Sequence, residues 1–401
     1  MVKNLNVLLV HNYYQIPGGE DVVVANEKKM LEENGHKVFL YTRKNNEISS
    51  LQFFRKLLLP FTSLFSIKTY REVKKIIIAQ SIDIIHVHNT LPLISPSVYY
   101  AAFRTNTPVV QTLHNFRLLC PSGSFYRNGQ ICQECADGGL WRSVKHTCYR
   151  DSKAQTLIVA AMLKLHRLLG TYKKIDAYIC LSKFNKEKLS SAISEDRLCI
   201  KPNFIPQSGY CIDNDSQNIR SNGYYLFMGR LEENKGIALL IDVFSNLPDK
   251  HLVIIGDGTM KTWLLDRIER DRLKNVSYEG YCAGEKKLSI ILGAKALIVP
   301  SQLYEAFSLV TIEAFSYGLP VIAGKIGTLA SIVKDPVNGL LFEYNSEKSL
   351  AETLERFEKL EYAELSKNAR MSYEKNFTQG NNYRTLMDIY EKITMNDYKA
   401  L

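Results

Sequence analysis

No apolar run in the 401 residues approaches the roughly 20 needed to cross a bilayer, so no transmembrane segment is expected. Cysteine is scarce. Eight in 401 residues exclude a disulfide scaffold and leave reduced thiols or a metal site. The opening MVKNLNVLLVHNYY has one lysine and a short apolar run that leads into a Gly-Gly loop. A small-residue cleavage site is missing, so this segment reads as a buried strand and a cytosolic address is expected. Short-period repeats are absent. A composition of 46 % hydrophobic, 10 % aromatic and 23 % charged residues excludes a fibrous or disordered chain. The first half is poor in acidic side chains. Residues 1–202 carry 28 basic and 15 acidic groups, whereas residues 203–401 carry 23 and 26, within a total of 51 and 41. A basic half beside a nearly neutral one implies that the first half meets something anionic.

What is present is a repeated alternation of short apolar runs and amphipathic segments. In the first half, 6–12, 37–43, 82–89 and 108–115 read as strands, with a helix near 20–34. In the second, 224–230, 251–258, 276–281, 296–301 and 319–324 read as strands. Helices are predicted there near 235–246, 259–273, 285–293, 308–318 and 328–334, and a helical tail over 346–401 is broken near 377–380. Continuous apolar strands separated by helices imply parallel sheets buried on both faces. KPNFIP at 201–206 reads as a linker. The expected organisation is a first domain over 1–202 with a Cys-containing insert at 117–150, a second domain over 203–380, and a C-terminal helix over 381–401 that packs back toward the first. Both domains are expected to be α/β and Rossmann-like, facing one another across a cleft.

Ligands of such sheets sit beyond the carboxyl ends of the strands. Three strands of the first half end in His11-Asn12, His88-Asn89 and His114-Asn115. Pro17-Gly18-Gly19-Glu20 follows the first strand. Its glycines would let backbone amides reach an anion, although Pro-Gly-Gly is also a common tight turn. In the second half Gly229-Arg230-Leu231 precedes Lys235-Gly236, two cations at a strand–helix junction that suit a diphosphate. The most specific run is Tyr304 to Glu313. Glu305 lies in a loop, the amides of Phe307, Ser308 and Leu309 open a helix that can receive a phosphate, and Glu313 lies in the apolar VTIEAF. A carboxylate in that setting needs a partner or a ligand.

Taken together, the Pro-Gly-Gly loop, Val-His-Asn at 87–89, Thr-Leu-His-Asn at 112–115, Gly-Arg-Leu with Lys-Gly at 229–236, Glu-x7-Glu at 305–313 and Val-Asn-Gly-Leu-Leu at 337–341 resemble a family-4 glycosyltransferase of the GT-B fold, among them bacterial cell-surface polysaccharide enzymes. The resemblance implies a nucleoside-diphosphate sugar donor, UDP- or GDP-linked, held mainly by the second domain. Arg230 and Lys235 would neutralise the leaving diphosphate. Glu305 would orient the donor sugar and Glu313 would bind the ribose. Gly18, Gly19, Gly229, Ala306, Phe307, Ser308 and Leu309 would complete the donor cradle. Tyr281, within Gly280-Tyr281-Cys282, would contact the base, and His114 would lie near the transferred sugar. It also implies retention of anomeric configuration with no catalytic metal or other cofactor. The family often has glycine where this chain has Ala306 and Ser308, and 324–330 lacks a glutamate often found near there.

Cys120, Cys132, Cys135 and Cys148 form C-x11-C-x2-C-x12-C, which reads equally as a structural Zn²⁺ site or as four reduced thiols, with His146 as a substitute ligand. Basic, apolar stretches at 51–75 and 156–174 suit either an anionic membrane surface or core-facing helices. The charge of the first half favours the membrane. This gives a peripheral location at the inner face of the cell membrane, a saccharide or polyprenyl-diphosphate-linked acceptor, and a role in capsule, exopolysaccharide or O-antigen synthesis. The alternatives are a sugar-nucleotide epimerase or hydrolase on the same fold, or a non-enzymatic nucleic-acid binder. The second lacks any interleaved basic–aromatic stripe, so no nucleic-acid partner is expected.

Overall fold

The computed structural model describes residues 4–15, 18–50, 52, 57–206 and 223–397. Pro17, residues 51 and 53–56 of the first basic stretch, and residues 398–401 of the tail lie outside them. The chain divides into two compact units. The first comprises Met1–Ser124, Gln133–Asn203 and Gln379–Leu401, and the second Phe125–Cys132 and Phe204–Thr378. The expected first domain thus differs in one respect, because residues 125–132 of its insert group with the second unit.

The first unit is built on a six-stranded parallel sheet of β1 (Asn6–Tyr13), β2 (Lys37–Lys44), β3 (Ile84–Asn89), β4 (Val109–Leu113), β7 (Ala177–Cys180) and β8 (Leu198–Ile200), in the order β2-β1-β3-β4-β7-β8. Every residue of β3 and β7 is buried, as the apolar runs require when helices cover both faces. The register between β1 and β3 slips at its end. Val10 pairs with Val87 but His11 with Asn89, so His88 is skipped. Such a bulge re-aims the side chain it frees, and here it frees a histidine at the mouth of the sheet. The helix Gln379–Asp397 belongs to this unit, with Leu386 and Tyr390 fully buried.

The second sheet repeats the plan with β9 (Tyr224–Met228), β10 (Leu252–Ile255), β11 (Val276–Tyr278), β12 (Ala294–Val299), β13 (Val321–Gly324) and β14 (Gly339–Phe342), in the order β11-β10-β9-β12-β13-β14. The predicted helix at 235–246 begins later. A 3-10 turn over Glu233–Lys235 precedes a helix over Ile237–Ser245. Gly236 separates them at φ +75°, and a Cβ there would meet the Pro300 carbonyl oxygen at 2.2 Å. Only glycine lets the Lys235 loop lie against the end of β12. The helices read at 308–318 and 328–334 are shorter, Leu309–Ser316 and Leu329–Ile332. From the insert, β5 (Tyr126–Arg127) and β6 (Gln130–Ile131) form a hairpin whose turn residues, Asn128 and Gly129, both have positive φ, the combination a tight two-residue hairpin demands.

Candidate functional site

In the second unit three loops meet at the carboxyl ends of β9 and β12. Arg230 is exposed just past β9, with no ion pair among the described residues. Lys235 reaches across to Glu305, Nζ to Oε1 at 2.7 Å, with the two side chains 21 % and 10 % exposed. Ser301 also donates to Glu305 Oε1. Both contacts fall on one oxygen, which leaves Oε2 for a ligand. The amides of Phe307, Ser308 and Leu309 have no acceptor among the described residues, and they open the helix Leu309–Ser316. The Ser308 hydroxyl accepts from Thr311 at 2.8 Å and does not cap that helix. A strand-end cation, a second cation fixed by a carboxylate and a helix N-terminus make an anion site open to solvent.

Glu313 is paired. Lys287, on the helix Gly284–Gly293, lies 2.6 Å from its Oε1. The apolar setting of Glu313 is thus accounted for by an ion pair, and a ribose would have to share that carboxylate. Tyr281 is 78 % exposed, while the neighbouring Cys282 is buried. The Ala306 carbonyl accepts from Thr328 Oγ1 at 3.3 Å. Sequence reading missed Gln302, which knits these loops together. Its amide donates to Asn234 O (2.8 Å), its side-chain amide donates to Asn345 (2.7 Å), its carbonyl accepts from the Tyr344 hydroxyl (3.0 Å), and its Oε1 accepts from Tyr126 of the hairpin (3.3 Å). One residue after Asn234 comes Lys235, and three after Gln302 comes Glu305. Neutral glutamine in a loop carries no sequence signal for such a role.

In the first unit the histidines form a stack. His86 and His88 rings lie 4.4 Å apart, and His88 and His114 rings 5.2 Å apart. His88 Nδ1 and His114 Nε2 are 2.9 Å apart, while His88 Nε2 is buried without a partner among the described residues. A lone pair is cheaper to leave unmet than an N–H, so His88 donates from Nδ1 and His114 accepts at Nε2. Burial, with the neighbouring His11 and His86, pushes His114 down to about 3. Burial also holds His88 well below its ordinary value. Beneath the stack, Glu27 lies 3.0 Å from His86 Nδ1 and 3.4 Å from the buried Lys201. Burial alone would raise the Glu27 carboxyl, but Lys201 and His86 outweigh it and hold it well below the usual range.

The asparagines of the strand-end pairs fasten loops. Asn12 donates to Asn45 and accepts from the Leu93 amide, Asn89 donates to Asn12 O, and Asn115 donates to Glu20. The glycine turn departs from expectation in one atom. Gly18 N–H is taken by Asp21 Oδ2 at 2.9 Å, and that carboxylate also holds His11 at 2.7 Å, so the Gly18 amide is engaged within the turn. Space remains, since a Cβ on Gly18 would meet nothing within 4 Å. Gly19 begins the helix Gly19–Glu33. Half-buried Glu20 is pushed up by desolvation despite Arg117 nearby.

The cysteine set is divided, with Cys120, Cys135 and Cys148 in the first unit and Cys132 in the second. Among the described residues the side chains close enough to share a metal are Glu27, His86 and His88, and the cysteines form no such group. His146 lies 3.2 Å from Glu134. Lys201 contributes a cation to the Glu27 cluster.

Two family models match, "Glycosyltransferase Family 4" over residues 17–208 and "Glycosyl transferases group 1" over residues 212–376. An uncharacterized glycosyltransferase of Methanocaldococcus jannaschii is 25 % identical over 357 residues, 87 % of each chain. The O-antigen chain mannosyltransferase C of Escherichia coli is 25 % identical across 49 % of this chain and 55 % of its own. Among solved structures, Anabaena HepE in complex with UDP superposes with a TM-score of 0.68 at 18 % identity, covering 97 % of this chain and 100 % of its own.

Proposed function

This chain belongs to glycosyltransferase family 4 and has the GT-B fold, and from that premise we propose a retaining, metal-independent transfer of a sugar from a UDP- or GDP-sugar to a lipid-linked saccharide during cell-surface polysaccharide assembly. The observation that carries it is the Lys235–Glu305 pair beside the open N-terminus of the helix Leu309–Ser316. When the sugar–phosphate bond breaks, positive charge develops at the anomeric carbon and negative charge on the diphosphate. Arg230, Lys235 and the amides of Phe307, Ser308 and Leu309 stabilise the latter. The acceptor oxygen forms the new bond on the face the leaving group vacates, and its proton passes to the departing phosphate. Glu305 Oε2 holds sugar hydroxyls in this proposal, Glu313 the ribose and Tyr281 the base. His114, kept neutral, offers the sugar a hydrogen bond rather than a charge. The UDP-bound relative and the O-antigen relative support the donor and pathway readings.

A thermal-shift panel of UDP- and GDP-sugars tests the donor, since a ligand bound only by the native state raises Tm. The matching donor should then give an α- or β-linked product of unchanged anomeric configuration by NMR, at the same rate with EDTA present. Inverted product, or a rate abolished by EDTA, sinks the mechanism.

A further inference from the structure

The first unit contains a cavity of about 360 Å³ that the transfer chemistry does not use. Leu59, Pro60, Leu91, Pro92, Ile158 and Met162 wall it, and Arg150 stands exposed among its lining residues. Ser63, also at the wall, is already satisfied by donating to Pro92 O at 3.1 Å. Leu91 and Met162 form a wall on both sides, because they also line a smaller cavity of about 50 Å³ whose other residues include His88, His114, Asn115 and Arg117. One layer of side chains therefore separates the apolar cavity from the strand-end histidines.

A saccharide is the wrong occupant. Each hydroxyl buried there without a partner would lose its hydrogen bonds to water uncompensated. A hydrocarbon loses nothing and gains the burial of its methylenes. The apolar character continues outside, where Leu57, Leu58 and Phe61 are 56 %, 54 % and 71 % exposed. Charge decides what the hydrocarbon carries. Arg150 lies with its guanidinium 5.5 Å from the centre of the Tyr149 ring, Lys153 is exposed three residues on, and Asp151 is the acidic neighbour between them. The unit as a whole has 30 basic and 18 acidic side chains, a net +12. Apolar walls with a cationic rim complement an amphiphile with an anionic head.

We propose that this cavity receives the aliphatic chain of the acceptor, with the phosphate that links chain to saccharide held at Arg150. The inference rests on the reading above that the acceptor is lipid-linked, and it adds where the lipid is held. It predicts that the enzyme extracts part of the chain from the bilayer rather than reading the saccharide alone.

Octyl phosphate below its micelle concentration is a suitable probe, titrated calorimetrically into the full-length chain with octanol and inorganic phosphate alongside. Binding of octyl phosphate, with much weaker binding of the other two, supports the proposal. Ile158→Trp fills the cavity from a half-buried wall position and should weaken octyl phosphate at least about tenfold, the loss of roughly two buried methylenes. Arg150→Ala, at an exposed position, should weaken octyl phosphate severalfold and leave octanol unchanged. Both variants should keep the donor-induced thermal shift and raise KM for a lipid-linked acceptor more than for a soluble one. Unchanged octyl phosphate affinity in Ile158→Trp overturns the site. So does inorganic phosphate binding as tightly as octyl phosphate, octyl phosphate driving dimerisation through this face, or binding to anionic vesicles with no uptake of the free amphiphile. A wild-type chain that ignores every nucleotide sugar but binds octyl phosphate sinks the donor reading alone. One that binds a donor but no octyl phosphate sinks the cavity alone.

Discussion

The two units share one strand plan and use its carboxyl ends in opposite ways. In the first, Glu27, His86, His88 and Lys201 are each no more than 3 % exposed, Glu27 pairs with His86 and Lys201, and the His86 ring nitrogens also meet the Tyr390 and Thr112 hydroxyls. In the second, Arg230 is exposed, while Lys235, Glu305 and Glu313 are 21 %, 10 % and 20 % exposed. A buried polar network fixes the shape of a strand end, because every partner lost leaves a group unmet in a low dielectric. A half-open set of charges can exchange its internal pairs for a ligand's phosphates. The same topology therefore supplies a rigid wall in one unit and a responsive anion site in the other.

Substitutions should separate these two modes. The largest effect is expected from Glu27→Gln, which strands the buried Lys201 ammonium, otherwise held by Glu27 and by Asn382 at 3.1 Å. Breaking a buried pair from one side costs about 3–5 kcal/mol. Urea denaturation should show this loss, and a double variant with Lys201→Met should recover much of it. A loss below about 1 kcal/mol would mean that the network is not the rigid element claimed. Next comes Lys235→Ala in the second unit. Its ion pair is partly solvated, so stability should change by less than about 1 kcal/mol. Turnover should fall by about 10²–10³, the loss expected when one preorganised group facing the developing charge is removed. Arg230→Ala should behave alike. Near-normal turnover in both would remove the leaving-group argument, and a matching loss of stability would erase the contrast between the units.

The sequence made the alternation legible because strands buried on both faces must be apolar throughout, as ALIVP and IDIIHVH are. It also marked Lys235, beside Gly236 after a strand, and Glu305, in the loop between a strand and a helix N-terminus. Their mutual pairing was not legible, because it depends on Gly236 lying against Pro300, a contact 64 residues apart in sequence. Lys287 as the partner of Glu313 was hidden for the same reason. The hairpin over 125–132 was read with the first half because chain order is the only grouping a sequence offers. Three-dimensional packing assigns it to the second, where Phe125 meets the Tyr304 ring at 6.3 Å. Nothing in ANEKKM or LCIKPN marks Glu27 and Lys201 as buried.

A smaller effect should come from Gln302→Ala. It removes the side-chain bonds to Asn345 and Tyr126 but leaves the backbone bonds to Asn234 and Tyr344. At about 0.5–1.5 kcal/mol per neutral hydrogen bond, the Lys235 and Glu305 loops should loosen without unfolding. Donor KM should rise severalfold, with kcat falling less than in Lys235→Ala. Tyr126→Phe should show a weaker form of the same split. A change in Tm with unaltered KM would make Gln302 a scaffold residue only.

The mildest test is pH. His88 and His114 are held neutral in the folded first unit, with His114 down to about 3, against an unfolded value near 6.5. Between those values the unfolded chain binds protons that the folded chain does not. Stability should therefore be complete above about pH 6.5 and decline as pH falls toward 3. Glu27, depressed in the folded state, adds a decline of the same sign below about 4.5. The second unit's open cluster offers no corresponding buried histidine among the described residues. Denaturation followed from pH 8 to 5 should consequently show a slope that His114→Gln reduces and Lys235→Ala leaves alone. A slope surviving in His114→Gln with His88→Gln would place the acid sensitivity elsewhere. Equal slopes in all variants would deny that the histidine stack is kept uncharged by its burial.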